Sequence, residues 1–370
     1  MLGRVRQSAY RLWDLLRRGS EVRHLARRVQ VLETKAKESR EKWKRQSDAL
    51  KRHSTSRRRR ILSPQIVHSL LPLRFATIQA RASHANASAS ETHLAHVSSA
   101  YREALANIEN PTDNLVRTSL QGVTWWVPVP RSLKRAARDR FLAKQRFPFR
   151  NITQTREFAL GPILLDIGAN NGRMSIPRVI LGDIAQAYCA EPDPLNYAAL
   201  VRNVVDNRLQ GLVLPDNIAI GASTGTARLR HAKYPGGHHL VADPSANGAI
   251  SVACWRLDDW CERLALDPEL VTYVKVDTQG WEVQVLQGAP RLLAYRHIAW
   301  QLEISPDMLA AAGDSSIELH RMCAERFSHF VDLAKTAEGP RARPIRELPE
   351  ALGYLGERIP HTDVILFNST

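Results

Sequence analysis

The stretch of residues 163–175 constrains the fold of this chain more than any other. An apolar run at 163–165 is followed by an acidic residue, a glycine-rich turn and residues that can begin a helix. This order is typical of a nucleotide-type ligand site at the edge of a parallel sheet. Gly168 and Gly172 would let the backbone approach a ligand, and the following helix would direct free N–H groups towards a carboxylate or phosphate.

The spacing of these glycines excludes two common nucleotide motifs. Asn170 and Arg173 occupy the positions where the dinucleotide pattern G-x-G-x-x-G has its second and third glycines. The turn also lacks the Gly-Lys-Ser/Thr sequence of a phosphate-binding P-loop. A tight strand-to-helix turn that binds no ligand is therefore the alternative interpretation of this stretch.

Beyond residue 161, short apolar segments alternate with amphipathic ones. The pattern predicts main strands at 163–167, 187–190, 212–220, 271–276 and 297–304, helices at 174–181, 194–205, 258–264, 281–293 and 315–326, short β segments at 226–230 and 250–257, and closing strands at 329–333 and 362–367. Strands that alternate with helices indicate a doubly wound α/β sheet. Ligands of such sheets bind at the carboxyl ends of the strands.

The positive charge of the chain is concentrated in its N-terminal arm, residues 1–60. The whole chain of 370 residues has a formal net charge of +15. The arm holds 20 of the 52 Lys and Arg residues and 6 of the 37 Asp and Glu residues, so it carries +14 and the remainder only +1. The overall charge is therefore poor evidence that the main body binds nucleic acid.

Two kinds of helix are predicted within the arm. Residues 1–18 show a basic amphipathic pattern with Trp13 on the apolar face, which suits an anionic membrane surface, a docking partner or organelle targeting. Residues 20–50 show heptad spacing that favours a coiled coil, and hence a homo-oligomer. A lone solvated helix is the alternative for this second region.

The sequence divides into three parts. After the arm at 1–60 comes a helical linker segment at 61–155, whose aromatic edge strand at 125–130 and basic helix at 131–144 are expected to pack on the next domain. The α/β domain spans 156–370. No apolar run approaches the roughly 20 residues that span a bilayer, and the four scattered cysteines favour reduced, structural thiols. We expect a cytoplasmic protein. The basic arm suggests an alternative, in which the protein is attached peripherally at the inner face of the membrane.

Acidic and amide residues at two strand ends suggest an adenosine-type ligand. Glu191 follows the second strand, 25 residues after Asp166, where a carboxylate can accept hydrogen bonds from both ribose hydroxyls. Asn217 ends the third strand and is expected to border the adenine. A surface carboxylate and a simple loop asparagine are the alternative interpretations.

Together these motifs resemble the FkbM-type methyltransferases over about residues 160–370. The resemblance is carried by 166-DIGANNG-172, 191-EP-192, 219-AIG-221, 257-LDDW-260, 274-VKVDTQGWE-282 and 285-VLQGA-289. It implies a seven-stranded, Rossmann-like class I methyltransferase that uses S-adenosyl-L-methionine and usually methylates hydroxyls of sugars or related natural products. One departure is Gln279, where members of the family often have Glu.

The resemblance also implies where the methyl donor and acceptor lie. The residues expected to hold the donor are Asp166, Gly168, Asn170, Gly172, Glu191 and Asn217. Asp277 is expected to orient or deprotonate the acceptor hydroxyl and Lys275 to stabilise the charges, with a structural Lys275–Glu282 ion pair as the alternative. His238 and His239 are alternative bases, because imidazole titrates near neutrality. Glu282 and Glu303 are expected acceptor contacts, and the identity of the base stays open.

The leading hypothesis is therefore an O-methyltransferase that acts on a hydroxyl of a saccharide or glycoconjugate. Methyl transfer from a sulfonium needs alignment and proton removal, so neither a nucleophile triad nor a metal site is expected. A nucleic-acid methyltransferase is disfavoured, because the chain lacks the Asp/Asn-Pro-Pro-Tyr/Phe run and its body carries no excess positive charge. A coiled-coil scaffold with a non-catalytic S-adenosylmethionine-binding domain is the hypothesis from a different class.

Overall fold

The computed structural model describes residues 115–120, 123–130, 133–232, 235–243, 246–334 and 341–369, all within the compact unit Leu62–Thr370. The predicted amphipathic helix at 1–18, the coiled coil at 20–50 and most of the linker segment lie outside the described residues and stay predictions from the sequence. No helix within the described ranges is long and apolar enough to cross a membrane. The four cysteines are free and buried, as expected.

The described residues form strands and α-helices in the following order. The strands are β1 (Leu115–Leu120), β2 (Val123–Pro128), β3 (Gly161–Ile167), β4 (Ile184–Ala190), β5 (Val213–Asp216), β6 (Ala219–Gly221), β7 (Gly225–Arg230), β8 (His239–Val241), β9 (Ala249–Arg256), β10 (Val271–Val276), β11 (Ala299–Ile304), β12 (His329–Asp332), β13 (Arg343–Pro344) and β14 (Thr362–Phe367). The helices are α1 (Arg135–Ala143), α2 (Phe149–Gln154), α3 (Arg156–Ala159), α4 (Ser175–Leu181), α5 (Pro194–Asp206), α6 (Leu257–Arg263), α7 (Glu282–Gln287), α8 (Pro306–Ala311), α9 (Ser316–Arg326) and α10 (Leu348–Ala351).

The main sheet has the strand order β13-β12-β14-β11-β10-β3-β4-β5. The strands from β11 to β5 are parallel, whereas β14 pairs antiparallel with both β11 and β12. Seven of the eight strands were expected, and the eighth is the two-residue edge strand β13. From β3 the chain adds β4 and β5 on one side and β10 and β11 on the other. The boundary between β3 and β10 is therefore the topological switch point, where ligands of doubly wound sheets bind.

The predicted strand 212–220 is wrong as a single strand, because the chain leaves the main sheet after β5. Asp216 is held there by Trp260, whose Nε1 donates over 2.8 Å, and by Arg263 at 2.5 Å. Asn217 then turns back towards β4, and β6 joins a second sheet of order β6-β9-β7-β8. This second sheet has a small apolar core of its own, which includes Leu229 and Leu240.

The predicted helix 281–293 is also too long, since α7 ends at Gln287. Gly288 packs against β6, and a Cβ on it would lie 2.1 Å from the carbonyl oxygen of Gly221. Pro290 follows, and proline has no N–H to continue the helical ladder and disfavours helical geometry in the preceding residue. The chain instead turns back, and Asp258 accepts hydrogen bonds from the backbone N–H groups of residues 291 and 292.

The end of the linker segment packs on the sheet. Trp125 of β2 is fully buried and meets Phe147 edge to face, with 4.8 Å between ring centroids and 85° between planes. Both side chains belong to the same apolar cluster as Leu164 of β3. The backbone N–H of Trp126 also donates to Asn203 on α5 over 2.6 Å. Residues 115–155 thus contribute core side chains to the α/β domain.

We predict that Trp125→Ala in the full chain lowers the free energy of unfolding by about 3–5 kcal/mol, because it removes a fully buried indole from the core. Trp126→Ala is the matched control, since that indole is only half-buried and lies against Arg202. Urea denaturation followed by circular dichroism measures both values. A loss for Trp125→Ala no larger than that for Trp126→Ala would contradict the assignment of this segment to the core.

Candidate active site

A cavity of about 390 Å³ lies at the carboxyl edge of the main sheet, around the switch point. Its wall is formed by the ends of β3, β4, β10 and β11, the start of β14, the turn before β8 and the region of α2. This wall has two sides. The β4 side contains Gly168, Asn170 and Glu191, and the β11 side contains Asp277, Glu303 and Asp363.

The two glycines of the turn after β3 have different roles. Gly168 lines the cavity at a φ of +76°, and a Cβ on it would lie 1.9 Å from the carbonyl oxygen of Asp277. Gly172, at a φ of +83°, lies outside the cavity lining, and a Cβ there would meet Leu200 and Ile176 at 2.7 and 2.8 Å. Gly172 therefore serves helix packing rather than the predicted approach of backbone to a ligand.

Glu191 is the polar centre of the β4 side. Its Oε2 accepts a hydrogen bond from the backbone N–H of Asn170 over 2.7 Å, and its Oε1 accepts one from Asp193 over 2.9 Å. Asn196 is a third donor to this carboxyl group, and burial raises the pKa of Glu191 to about 8 despite all three donors. One of the four acceptor positions of the group stays open, and it can hold either the proton or a hydrogen bond from a ligand hydroxyl in the cavity.

Asn217 does not reach the cavity wall. Its Nδ2 donates to the carbonyl oxygens of Glu191 over 2.8 Å and of Pro192 over 3.1 Å. Because both amide hydrogens hold the backbone that carries Glu191, Asn217 positions that residue. The predicted contact of Asn217 with an adenine is corrected accordingly.

Lys275 forms part of the cavity wall, and Asp166 lies beneath that wall. Asp166 is fully buried, accepts a hydrogen bond from the hydroxyl of Ser175 and lies outside the cavity lining. Lys275 places its Nζ 3.4 Å from Oδ1 of Asp166 and 3.2 Å from Oδ2 of Asp277. Burial lowers the pKa of Lys275, but Asp277 and Asp166 outweigh burial and leave that pKa raised. Asp166 thus contacts the site through Lys275 and not as a direct ligand group.

Glu282 is buried beneath the loop that follows β10. Its Oε1 accepts hydrogen bonds from the backbone N–H and the hydroxyl of Thr278, at 3.0 and 2.9 Å, and its Oε2 accepts one from Gly280 at 3.1 Å. These contacts leave Glu282 outside the cavity lining, which corrects its predicted contact with an acceptor. The alternative Lys275–Glu282 ion pair is also wrong, since Lys275 pairs with two aspartates.

A carboxyl pair forms on the β11 side. Gln279, at a φ of +56°, donates through Nε2 to Oδ1 of Asp277 over 2.9 Å and to Oε2 of Glu303 over 2.5 Å. Burial, followed by the charges of Asp277 and Asp363, raises the pKa of Glu303 to about 10. Burial opposes the charge of Asp277, but Lys275, Gln279 and Glu303 hold the pKa of Asp277 below its ordinary value. At neutral pH, Glu303 is therefore protonated and Asp277 ionised.

Asp363 is a cavity residue that the sequence analysis missed. It is the second residue of β14 and the direct cross-strand partner of Glu303 on β11. Its oxygens accept hydrogen bonds from Gln301 over 2.8 Å and from Asn151 over 3.2 Å, and Tyr273 donates to Gln301 over 2.8 Å. Burial and the charge of Asp277 raise the pKa of Asp363. The only signal in the sequence was an acidic residue at the start of a closing strand.

The two predicted histidines line the cavity but differ as bases. Nδ1 of His238 accepts a hydrogen bond from the backbone N–H of Ala232 over 3.0 Å, so its neutral ring carries the proton on Nε2. Nδ1 of His239 lies 3.1 Å from the carbonyl oxygen of Gly237, which can only accept, so Nε2 of His239 keeps its lone pair. Of the two rings, only that of His239 is therefore set up to accept a proton.

The turn that carries these histidines belongs to the β4 side. A Cβ on Gly236 would lie 3.9 Å from the side-chain nitrogen of Asn170. Asp193, His231 and His238 also bring ligand-type atoms within 4.8 Å of one another. However, Nε2 of neutral His238 carries a proton, and Asp193 already caps α5 through Oδ1. These three residues are therefore better described as a hydrogen-bonded group than as a metal centre.

Comparison with known proteins identifies a family for this region. Residues 166–332 match the model of the methyltransferase FkbM domain, which confirms the family expected from the sequence and supports S-adenosylmethionine as the cofactor. The chain is 32% identical over 145 residues to the 2-O-methyltransferase NoeI of Sinorhizobium fredii, a match that covers 36% of this chain. This chain spans 59% of the length of that curated relative.

Solved structures give more distant likenesses. A methyltransferase FkbM from Methylobacillus flagellatus matches at 16% identity and a TM-score of 0.36, over 56% of this chain and 44% of that one. TYW2 of Pyrococcus horikoshii, solved with MeSAdo, matches at 13% identity and a TM-score of 0.33, over 73% of this chain and 83% of that one.

We predict that Gly168→Ala destabilises the protein more than Gly248→Ala. The two glycines have nearly equal φ values, +76° and +75°, so both variants incur the cost of a left-handed alanine, roughly 1–2 kcal/mol. Only at Gly168 would the new Cβ meet backbone, at 1.9 Å, whereas Gly248 has open space. Thermal unfolding measures the difference, and equal losses would show that the turn does not pack against the loop after β10.

We further predict that Glu303→Gln removes part of the pH dependence of stability. Because the folded pKa of Glu303 is about 10, the folded protein binds more protons than the unfolded chain between the ordinary value of 4.5 and 10. The contribution of Glu303 to the free energy of unfolding is therefore complete at low pH and declines as the pH rises, by at most about 1.4 kcal/mol per pH unit. Glutamine mimics the protonated group, so the variant should lose less stability between pH 6 and 9 (about 3 pH units).

Urea denaturation at several pH values measures this effect, with Glu269→Gln, at an exposed position, as the control. The control should show the pH dependence of the wild type. If Glu303→Gln shows the same dependence as well, Glu303 is ionised throughout this range and is not the protonated neighbour of Asp277.

Proposed function

We propose, from the premise that residues 166–332 are an FkbM methyltransferase domain, that this protein transfers a methyl group from S-adenosylmethionine to a hydroxyl of a sugar, glycoconjugate or related natural product. One observation carries the proposal. A single cavity joins Glu191, suited to a ribose hydroxyl, to Asp277, an ionised carboxylate that can take a proton from a hydroxyl.

The residues on the β4 side fit an adenosine-type donor. Glu191 lines the cavity with one open position for a ribose hydroxyl, and Gly168 brings backbone to the wall without a side chain. Ile218 and Leu240 line the same cavity and offer apolar side chains against which a purine can pack. When bound, S-adenosylmethionine supplies a methyl group already activated by its positively charged sulfur.

The residues on the β11 side fit a polyhydroxylated acceptor. The hydroxyl proton passes to an oxygen of Asp277, which Lys275 keeps ionised, while the oxygen of the same hydroxyl gains the methyl group. Both amide hydrogens of Gln279 are already donated to Asp277 and Glu303, so the groups left for an acceptor are carboxyl oxygens, among them those of Asp363. Carboxyl oxygens that accept hydrogen bonds suit the neighbouring hydroxyls of a saccharide.

The 2-O-methyltransferase relative supports a carbohydrate-type acceptor, although at 32% identity over part of each chain. Among the bases that the sequence leaves open, the tautomer of His238 argues against that ring, and His239 belongs to the β4 side. We therefore propose Asp277 as the proton acceptor.

Calorimetric titration of S-adenosylhomocysteine into the full chain is the decisive experiment. We expect micromolar binding by the wild type, a loss of at least about tenfold for Glu191→Ala because a ribose hydrogen bond disappears, and no change for the exposed control Glu269→Ala. A folded wild-type protein that does not bind would overturn the proposal.

The acceptor half is tested with S-adenosylmethionine and a panel of methyl glycosides, using mass spectrometry to detect methylated product. Asp277→Asn should lower the turnover of any accepted glycoside by about 10²–10⁴-fold, the usual contribution of a general base. Binding of S-adenosylhomocysteine should persist in this variant. Turnover close to the wild-type value would exclude Asp277 as the base.

A further inference from the structure

Arg173 presents a guanidinium group to the cavity with only neutral partners. It lies five residues after Gly168 and lines the cavity wall in a half-buried position. Its Nη1 donates to Oε1 of Gln145 over 2.9 Å and to the carbonyl oxygen of Arg146 over 3.4 Å. Among the described residues, the hydrogen bonds of this guanidinium leave from Nη1 alone, and none of them reaches a carboxylate.

This arrangement leaves a charge to be balanced. Burial lowers the pKa of Arg173 and the charge of Asp277 acts in the opposite direction, but a guanidinium stays protonated in proteins. The carboxylate of Asp277 acts on this cation only through its charge, while the hydrogen bonds of the guanidinium go to neutral groups, so an anion hydrogen-bonded beside it would lower the cost of its burial. The Nε–Nη2 edge of a guanidinium has two parallel N–H groups, which match the two oxygens of a carboxylate. The site is therefore built for a carboxylate-type anion.

The position of Arg173 indicates which anion this is. Along the edge of the sheet, Glu191 follows β4, Gly168 follows β3 and Asp277 follows β10, so the cavity floor runs from β4 across β3 to β10. Arg173 is near enough to Asp277 to feel its charge. A ligand that places its ribose on Glu191 and extends across Gly168 thus brings its far end towards Arg173.

We infer that Arg173 binds the α-carboxylate of the amino-acid portion of the methyl donor. The inference rests on the proposed function and adds a residue to the donor site that anchors the end opposite the adenosine. The same guanidinium chemistry would also suit a carboxylate or phosphate on an anionic acceptor. The two sources are separable, because donor analogues with and without the carboxylate can be titrated in the absence of any acceptor.

The experiment compares S-adenosylhomocysteine with 5′-methylthioadenosine, which keeps the adenosine and the sulfur but lacks the amino-acid portion. Calorimetry is performed on the full-length wild type, Arg173→Gln, Arg173→Lys and Arg150→Gln. Arg150 is the matched control, since it is exposed on α2 and outside the cavity lining. Thermal unfolding verifies that each variant is folded.

We expect Arg173→Gln to weaken S-adenosylhomocysteine about 10- to 100-fold and to leave 5′-methylthioadenosine within about twofold, as for the loss of a charge-assisted pair of hydrogen bonds. Arg173→Lys should bind S-adenosylhomocysteine with an affinity between those of the wild type and Arg173→Gln, because lysine keeps the positive charge but lacks the two parallel N–H groups. Arg150→Gln should bind both ligands like the wild type.

Two results would overturn the inference while the proposed function stands. Equal weakening of both ligands by Arg173→Gln would assign Arg173 to the shape of the turn, and unchanged binding of S-adenosylhomocysteine would assign the guanidinium to an anion of the acceptor. A wild-type protein that binds neither ligand overturns the inference and the proposed function together. The wild-type titration alone distinguishes this third result from the first two.

Discussion

The buried ammonium group of Lys275 joins the two strands on which the site depends. Lys275 on β10 and Asp166 on β3 are direct partners in the parallel register, and the same ammonium reaches Asp277 just beyond the strand. Separating these charges would leave a carboxylate or an ammonium uncompensated in the sheet, which costs several kcal/mol. The contact therefore fixes the register of β3 and β10 at the switch point and keeps Asp277 ionised at the cavity wall.

Local patterns were sufficient for most of the fold. The predicted bounds of β10 and β14 agree with the structure, and a polar residue, Asp277 or Asn368, follows each strand directly. The predicted strand 212–220 and the predicted helix 281–293 were both too long. Contacts between residues distant in sequence end these elements early, Trp260 with Asp216 in the strand and Gly221 with Gly288 in the helix. A continuous apolar pattern does not record such contacts.

The site was predictable where it follows strand ends and not where it depends on pairing. Glu191, Asp277 and Glu303 line the cavity because each lies at the end of a parallel strand. Asp363 was missed because only the antiparallel pairing of β14 with β11 brings it beside Glu303. Glu282 was misassigned because its spacing places it near the loop, while its hydrogen bonds turn it inward. Protonation states likewise required the partners of each ring and carboxyl group.

The cavity wall combines residues from inside and outside the stretch that matches the family model. Asn151, His361 and Asp363 line the β11 side but lie outside the stretch 166–332 that matches the family model. Glu191 and Gly168, on the β4 side, lie within it. Asp277 and Glu303, also on the β11 side, lie within the stretch as well. The end of the pocket proposed to hold the acceptor therefore needs residues from both flanks of the matched stretch, and residues 166–332 alone would leave that end open.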